Sequence, residues 1–243
     1  MEIRRFYVNS DDITDNVVTI CSDEFWHLTK VLRYKVGYQI IVCNDSDGKD
    51  YLCTIDLIDK DFAQATAYKI INNECKTKIG ITLFQALPKG DKADLIVQKA
   101  VELGVQNIVF FNSDYVSEKK FNIDRLHKIN VEACKQCGRS RLSKIYGLYT
   151  FDQMLQKLQG FDKVLVCYEN EKINDIKNEL KSFNGDNLAI IIGSEGGFSE
   201  REIDKCQSNG AVSVTLGNRI MRCETASIVV CGIAMYELGE MSR

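Results

Sequence analysis

The chain is poor in proline and histidine. Pro88 is the only proline among 243 residues, and His27 and His127 are the only histidines. A single proline excludes Pro-rich linkers and recognition segments. No apolar run approaches the roughly 18 residues that a membrane span needs. The opening residues, Met1-Glu2-Ile3-Arg4-Arg5-Phe6, lack the apolar stretch of a secretory signal, so a cytoplasmic location is expected. There is no excess of charge of one sign. The 31 basic and 34 acidic residues leave a net charge of −3, which argues against wholesale polyanion binding and confines any nucleic-acid contact to local basic patches. Neither G-x-G-x-x-G nor G-x-x-x-x-G-K-[ST] occurs, which disfavours a dinucleotide-binding fold of the usual type and a P-loop NTPase.

What is present is ordinary globular material, 45% hydrophobic and 27% charged, of a length that suits one or two domains. The ten cysteines are irregularly spaced. Several sit in apolar runs, such as Cys167 in Val164-Leu165-Val166-Cys167 and Cys231 after Val229-Val230, and read as small buried hydrophobes. Reduced thiols are expected in the cytosol.

Two patterns divide the chain. Residues 1–72 show short β-rich runs at Arg4–Val8, Asn16–Ile20, Tyr38–Val42, 51–58 and 62–71, broken by turn residues such as Asn44-Asp45-Ser46-Asp47-Gly48. Ser22 is placed to cap one helix over 23–33. Short strands joined by turns predict a small β-barrel. After a polar stretch at 72–78 the chain alternates. Strands are predicted at 79–86, 107–111, 162–167, 187–192 and 211–216, and helices at 91–103, 122–138, 172–182, 199–209 and 223–238. This alternation predicts a second domain, 73–243, with a mostly parallel sheet. Ser199 and Glu202 form a capping box for the helix after Phe198, and Gly210 should end it.

Two strand-to-helix loops could carry chemistry. Ile192-Gly193-Ser194-Glu195-Gly196-Gly197-Phe198-Ser199 follows a buried strand, where open α/β sheets bind ligands. Its glycines allow close backbone approach to a ligand, and equally they could serve a tight turn alone. Leu216-Gly217-Asn218-Arg219-Ile220-Met221-Arg222-Cys223-Glu224-Thr225-Ala226 places two arginines and a glutamate at another strand exit. Surface charge with helix capping is the plain alternative there.

Together the loops resemble the I-G-P-E-G-G-F-S and L-G-x-R-I-L-R-x-E-T-A signatures of the RsmE-type branch of the SPOUT methyltransferases, the 16S rRNA uridine-N3 methyltransferases. Gln85-Ala86-Leu87-Pro88-Lys89-Gly90-Asp91-Lys92, Lys99 to Val105, Glu132 to Arg139 and the N-terminal Arg4-Arg5-Phe6 extend the resemblance over essentially the whole chain. Two positions depart from the family pattern. Ser194 stands for its proline and Met221 for its leucine, the latter a volume-conserving change.

The resemblance implies a trefoil-knotted parallel-sheet methyltransferase domain after a PUA-like β-barrel. It implies S-adenosylmethionine as cofactor, ribosomal RNA or the small ribosomal subunit as partner, and a homodimer. It places the cofactor on Tyr168, Glu169, Gly193, Glu195, Gly196, Gly197, Leu216, Gly217, Ile220, Met221, Glu224, Thr225 and Ala226. Arg139, Arg141 and Arg222 become candidates to stabilise charge developing on the target uracil. Arg4, Arg5, Lys30, Arg33 and Lys35 are candidate phosphate contacts, although a solvated basic face is the commoner role for any one of them. Phe198 could provide a platform for a displaced base or pack in the core. Neither histidine falls in a matched motif.

Other readings are open to test. Cys134-x-x-Cys137 has no second ligand pair at suitable spacing, so no metal site is expected. A nucleotide-binding oxidoreductase lacks its fingerprint. A non-catalytic RNA-binding or ribosome-assembly factor that retains the fold is the principal alternative.

Overall fold

The computed structural model describes residues 3–118 and 120–242. The chain divides into two compact units, one of residues 1–76 with 134–142 and one of residues 77–133 with 143–243. Residues 134–142, which the sequence alone leaves in the second domain, belong to the first unit.

The first unit is built on a six-stranded sheet ordered β1-β4-β5-β6-β3-β2. Its strands are β1 (Arg5–Val8), β2 (Ile13–Thr14), β3 (Val17–Cys21), β4 (Gln39–Asn44), β5 (Lys49–Ile58) and β6 (Phe62–Ile71). All neighbours are antiparallel except β1 and β4. The sheet curls, and β1 also meets β3. Side chains two apart on each strand fill the interior: Phe6 and Val8, Val18 and Ile20, Ile40 and Val42, Cys53 and Ile55, Ala63 and Ala65. This period of two is what a half-buried strand requires. Asp15 and Asn16, both at positive φ, turn β2 back into β3, as a two-residue hairpin demands.

The helix expected over 23–33 starts one residue earlier and ends two residues sooner. It runs as α1 (Ser22–Trp26), widens into a π-helical turn over His27–Val31, and stops before Arg33, whose φ is +54°. Ser22 is the first helical residue rather than the cap; Cys21 precedes the helix and offers no side-chain bond. Leu28 on the π turn is buried in the barrel interior.

The second unit carries an all-parallel sheet ordered β12-β10-β11-β7-β8-β9. It comprises β7 (Gly80–Ala86), α2 (Lys92–Glu102), β8 (Asn107–Phe111), α3 (Ile123–Cys137), β9 (Lys144–Tyr149), α4 (Phe151–Gln156), β10 (Lys163–Cys167), α5 (Ile176–Lys181), β11 (Asn187–Ile192), α6 (Glu200–Ser208), β12 (Ala211–Val214) and α7 (Cys223–Glu237). The last turn of α3 belongs to the first unit. Every residue of β7 is buried, as a central strand covered on both faces should be. One face of the sheet packs Phe84, Val109, Val166 and Ile191 beneath Met154, Leu155, Phe198 and Ile203. α7 packs against α2, β7 and β11.

β9 and α4 were not anticipated. β9 is a short edge strand, and Thr150 with Gln153 caps α4 by a reciprocal box. α5 begins four residues later than expected for a specific reason. The Glu171 carboxylate accepts the backbone N–H groups of Lys172, Ile173 and Asn174 at 3.0, 2.9 and 3.2 Å, which folds that stretch into a loop. Asp175 then caps the helix through Asn178 N–H. Ser199 and Glu202 do form the predicted box on α6, and Gly210, at φ +86°, follows its end. No helix among the described residues is long and apolar enough to cross a membrane.

Candidate cofactor cavity and arginine loop

From β7 the chain moves to β8 on one side, whereas from β11 it moves past β10 to β12 on the other. The loops leaving the C-terminal ends of β7 and β11 therefore run to opposite sides of the sheet order. The exits of β10, β11 and β12 lie side by side and line a cavity of about 770 Å³. That volume is in the range of small-molecule and cofactor sites.

The β11 exit is a tight turn. Gly197 N–H donates to Ser194 C=O at 3.0 Å, and Gly197 has a φ of +68°. A Cβ at Gly197 would run into the Glu169 carboxylate, and one at Gly196 would stand 2.7 Å from Tyr115 Cβ. A Cβ at Gly193 would lie 3.1 Å from the Gly197 backbone. Gly196 and Gly197 are thus called for by the loop's own packing and backbone conformation, and Gly193 sits close against the Gly197 backbone.

Gln85 holds this turn from below. Its side chain is fully buried on β7, its amide donates to Gly193 C=O at 3.1 Å and to Ala86 C=O at 2.9 Å, and its carbonyl accepts the Ser227 hydroxyl. The single proton of that hydroxyl is shared with Cys223 C=O, 2.8 Å away in the first turn of α7. One amide therefore ties the glycine turn to the head of the last helix.

Lys92 ties the same two elements at the surface. Its Nζ lies 2.6 Å from Glu195 Oε1 and 3.7 Å from Glu224 Oε2. Burial alone would raise the Glu195 carboxyl, but bonds from Lys92 and from the Lys89 N–H hold it below its ordinary value. At the β10 exit, the Glu171 carboxylate is held down to about 2 by the Ser213 hydroxyl and the backbone N–H groups it accepts. Burial pushes the Cys223 thiol up to about 12, so it remains protonated.

Every residue expected to bind cofactor lines the cavity except Glu224, which faces Lys92, and Thr225, which is exposed. Ile220 is 89% exposed on the β12 exit loop. Arg222 lines the cavity and is the residue before α7. Phe198 belongs to the core rather than to a platform. It is 4% exposed and stacks on Phe111 with ring centroids 6.5 Å apart and planes 3° from parallel. His27 lies edge-on to Phe6, and His127 is exposed on α3.

The cavity suits a ligand with charges of both signs. Glu169, Glu171 and Glu195 stand among its walls with Lys172, Arg219 and Arg222. The Ser194 hydroxyl, on the glycine turn, is buried with no protein partner, an arrangement that asks for a ligand or a rearranged turn.

Arg139 and Arg141 belong to the first unit, on the loop after α3. Tyr7 hydroxyl donates to Arg139 C=O, and Asn73 Nδ2 donates to Gly138 C=O at 2.8 Å. Leu142 N–H donates to Asp45 Oδ1 at 2.7 Å, and Arg141 Nη2 donates to Ser46 C=O at 3.1 Å. Burial drives the Tyr7 phenol far above its ordinary range, which keeps it a donor. Cys134, the first cysteine of the C-x-x-C, points its thiol at Arg141 C=O.

Of the basic residues named for RNA, Arg4, Lys30, Arg33 and Lys35 are exposed. Arg5 is different: its Nη1 is 2.5 Å from Asp50 Oδ2, and the Asp50 side chain is only 1% exposed. Burial would raise the Asp50 carboxyl, and bonds from Arg5 and Asn73 keep it lowered instead. Arg5 therefore neutralises a buried carboxylate.

Comparison with known proteins agrees with this architecture. The model of an RNA methyltransferase domain matches residues 75–235, and that of an RNA methyltransferase PUA domain matches residues 20–68. Ribosomal RNA small subunit methyltransferase E of Bacillus subtilis (strain 168) is 31% identical over 235 residues, covering 90% of each chain. Its counterpart from Buchnera aphidicola subsp. Acyrthosiphon pisum is 32% identical over 237 residues, covering 94% of this chain and 91% of the other. The crystal structure of the Neisseria gonorrhoeae ribosomal RNA small subunit methyltransferase E bound to S-adenosyl methionine superposes with a TM-score of 0.82 at 26% identity, covering 98% of both chains. The parallel-sheet unit with its three clustered strand exits, preceded by a curled PUA-like sheet, is a SPOUT-type architecture, and the chain belongs to the ribosomal RNA small subunit methyltransferase E family.

Proposed function

We propose that this protein transfers a methyl group from S-adenosylmethionine to N3 of a uridine in small-subunit, 16S, ribosomal RNA. The observation that carries the proposal is the convergence of three strand exits on one cavity, two of them bearing the family's loop signatures. The cofactor supplies an electrophilic methyl group on a sulfonium centre. The carboxylates of Glu169, Glu171 and Glu195 suit its cationic groups, and Lys172, Arg219 and Arg222 suit its carboxylate. The glycine turn and the Leu216–Ala226 loop present backbone groups and the apolar side chains of Ile220 and Met221 to its adenine.

Uridine N3 bears a proton that must be lost for attack, and the negative charge then spreads to the uracil oxygens. Arg222, on the cavity wall, and Arg139 and Arg141, on the loop after α3, are the residues assigned to stabilise that charge. Arg4, Lys30, Arg33 and Lys35 present positive charge to the RNA backbone and set register without reading sequence. Arg5 supports the barrel that carries them. This reading places a homodimer in the cytoplasm, acting on the small ribosomal subunit.

The test is transfer of labelled methyl groups to 16S rRNA, alone and in assembled subunits, followed by mapping. Methylation at N3 blocks the Watson–Crick edge, so reverse transcription should stop at one uridine. Cofactor binding without transfer to either substrate would favour the non-catalytic reading. A label that does not arrest reverse transcription would move the modification off N3.

A further inference from the structure

We infer that the first unit sets the aim of the arginine loop, with Tyr7 and Asn73 acting as positioning residues for Arg139. This inference rests on the proposal that Arg139 meets the RNA.

The argument begins with the loop's backbone. Gly138 to Leu142 follows the last turn of α3 without regular structure, so its polar groups must find partners elsewhere. They find them on the first unit. The Tyr7 hydroxyl takes Arg139 C=O, the Asn73 amide takes Gly138 C=O at 2.8 Å, and the Asp45 carboxylate takes Leu142 N–H at 2.7 Å. These bonds come from β1, from the segment after β6, and from the turn after β4. Three separate points of support fix a five-residue loop far more narrowly than water would.

The supports are themselves supported. Asn73 shares its amide with Asp50 Oδ2 at 2.7 Å, and Asp50 is held by Arg5. The last turn of α3 is anchored to the same unit by Lys135, which pairs with Glu24 at 2.8 Å and lies 5.8 Å above the Phe6 ring. An arginine side chain is long and flexible, so its use at a reacting centre depends on where its backbone is held. The bonds from Tyr7, Asn73 and Asp45 all fall on backbone groups of the loop. Their function is to place the chain from which the Arg139 guanidinium extends.

A double-mutant cycle tests this. Tyr7→Phe removes one hydroxyl and keeps the ring, and Arg139→Ala keeps the carbonyl that Tyr7 holds. If Tyr7 acts by aiming the guanidinium, its hydroxyl has nothing left to contribute once the guanidinium is gone. Tyr7→Phe should lower kcat/KM for RNA about fivefold, and Asn73→Ala should do the same. Neither should change calorimetric affinity for S-adenosylmethionine by as much as twofold. The Tyr7→Phe, Arg139→Ala double variant should be no slower than Arg139→Ala alone. Multiplying effects would overturn the inference, as would full activity of Tyr7→Phe or a loss of cofactor affinity in it. If Arg139→Ala itself turned over normally, the parent proposal for Arg139 would fall and this inference with it, which the cycle shows separately.

Discussion

Replacing Gln85 by leucine should loosen the cofactor turn without leaving a hole. The two side chains are similar in size, and residue 85 is fully buried, so the change acts on hydrogen bonds more than on packing. Gly193 C=O loses its 3.1 Å donor from the amide. Ser227 loses an acceptor, but it still donates to Cys223 C=O at 2.8 Å, so that side of the network loses little. The dominant cost is a buried carbonyl left unpaired, about 2 kcal/mol. For a unit of this size that corresponds to a fall in Tm of roughly 4–8 °C. If the turn must be re-ordered on binding, the same free energy weakens S-adenosylmethionine affinity by up to about thirtyfold. Thermal unfolding followed by circular dichroism, with and without cofactor, and calorimetric titration read the two effects. Gln85→Glu keeps an acceptor for Ser227 but, while ionised, offers Gly193 no donor and buries a charge, so at neutral pH it should fall at least as far. A Gln85→Leu protein with unchanged Tm and unchanged affinity would refute the argument that this amide holds the turn.

Lys92→Met should weaken cofactor affinity about threefold, because the pair it removes is partly exposed, and Lys92→Arg should retain it; equal affinity in all three proteins would show that the Glu195 and Glu224 contacts do not shape the cavity. Gly196→Val should lower affinity at least tenfold by forcing the turn away from Tyr115, and Tyr115→Gly in the same chain should recover part of the loss; no recovery would place the obstruction elsewhere. Glu171 titrates near 2 in the folded protein against an ordinary value of 4.5, so its bonds stabilise the native state above pH 4.5 and that contribution disappears as pH falls towards 2. The difference in Tm between the wild type and Glu171→Gln should therefore be widest above pH 4.5 and close at lower pH; a gap independent of pH would show that the carboxylate charge does not hold the β10 exit.

The sequence made the periodic parts of this protein legible. β8 and β11 occupy 107–111 and 187–192 as expected, because in each one asparagine opens a continuous apolar run. The barrel strands could be read from side chains alternating every second residue. β9 and α4 escaped notice because an edge strand of six residues and a helix of six carry too few periods to stand out. The start of α5 was misplaced because a carboxylate, Glu171, competes for the first N–H groups, and no hydrophobic pattern reports that.

The site was legible only in part. The glycine turn and the Leu216–Ala226 loop were evident as unusual strand exits. Gln85 left a signal that could have been used, since it is a polar residue in a strand whose other members are mostly apolar. Lys92 stood in the matched Gln85–Lys92 segment, but its role depends on Glu195, 103 residues away, and Tyr115 left no signal because its role depends on Gly196. Arg5 was read as a surface charge because its partner, Asp50, is 45 residues distant.

The discontinuity of the first unit bears on how the chain can be cut and how it emerges during synthesis. A fragment ending at Lys76 would contain every barrel strand, yet Tyr7, Asp45 and Asn73 would face water where they now meet residues 138–142. The barrel can form its sheet early, but it reaches its final state only after about 66 more residues have been made. A severed barrel should therefore be soluble and folded but less stable than its counterpart in the whole chain, and adding a peptide of residues 134–142 should restore protection to those side chains.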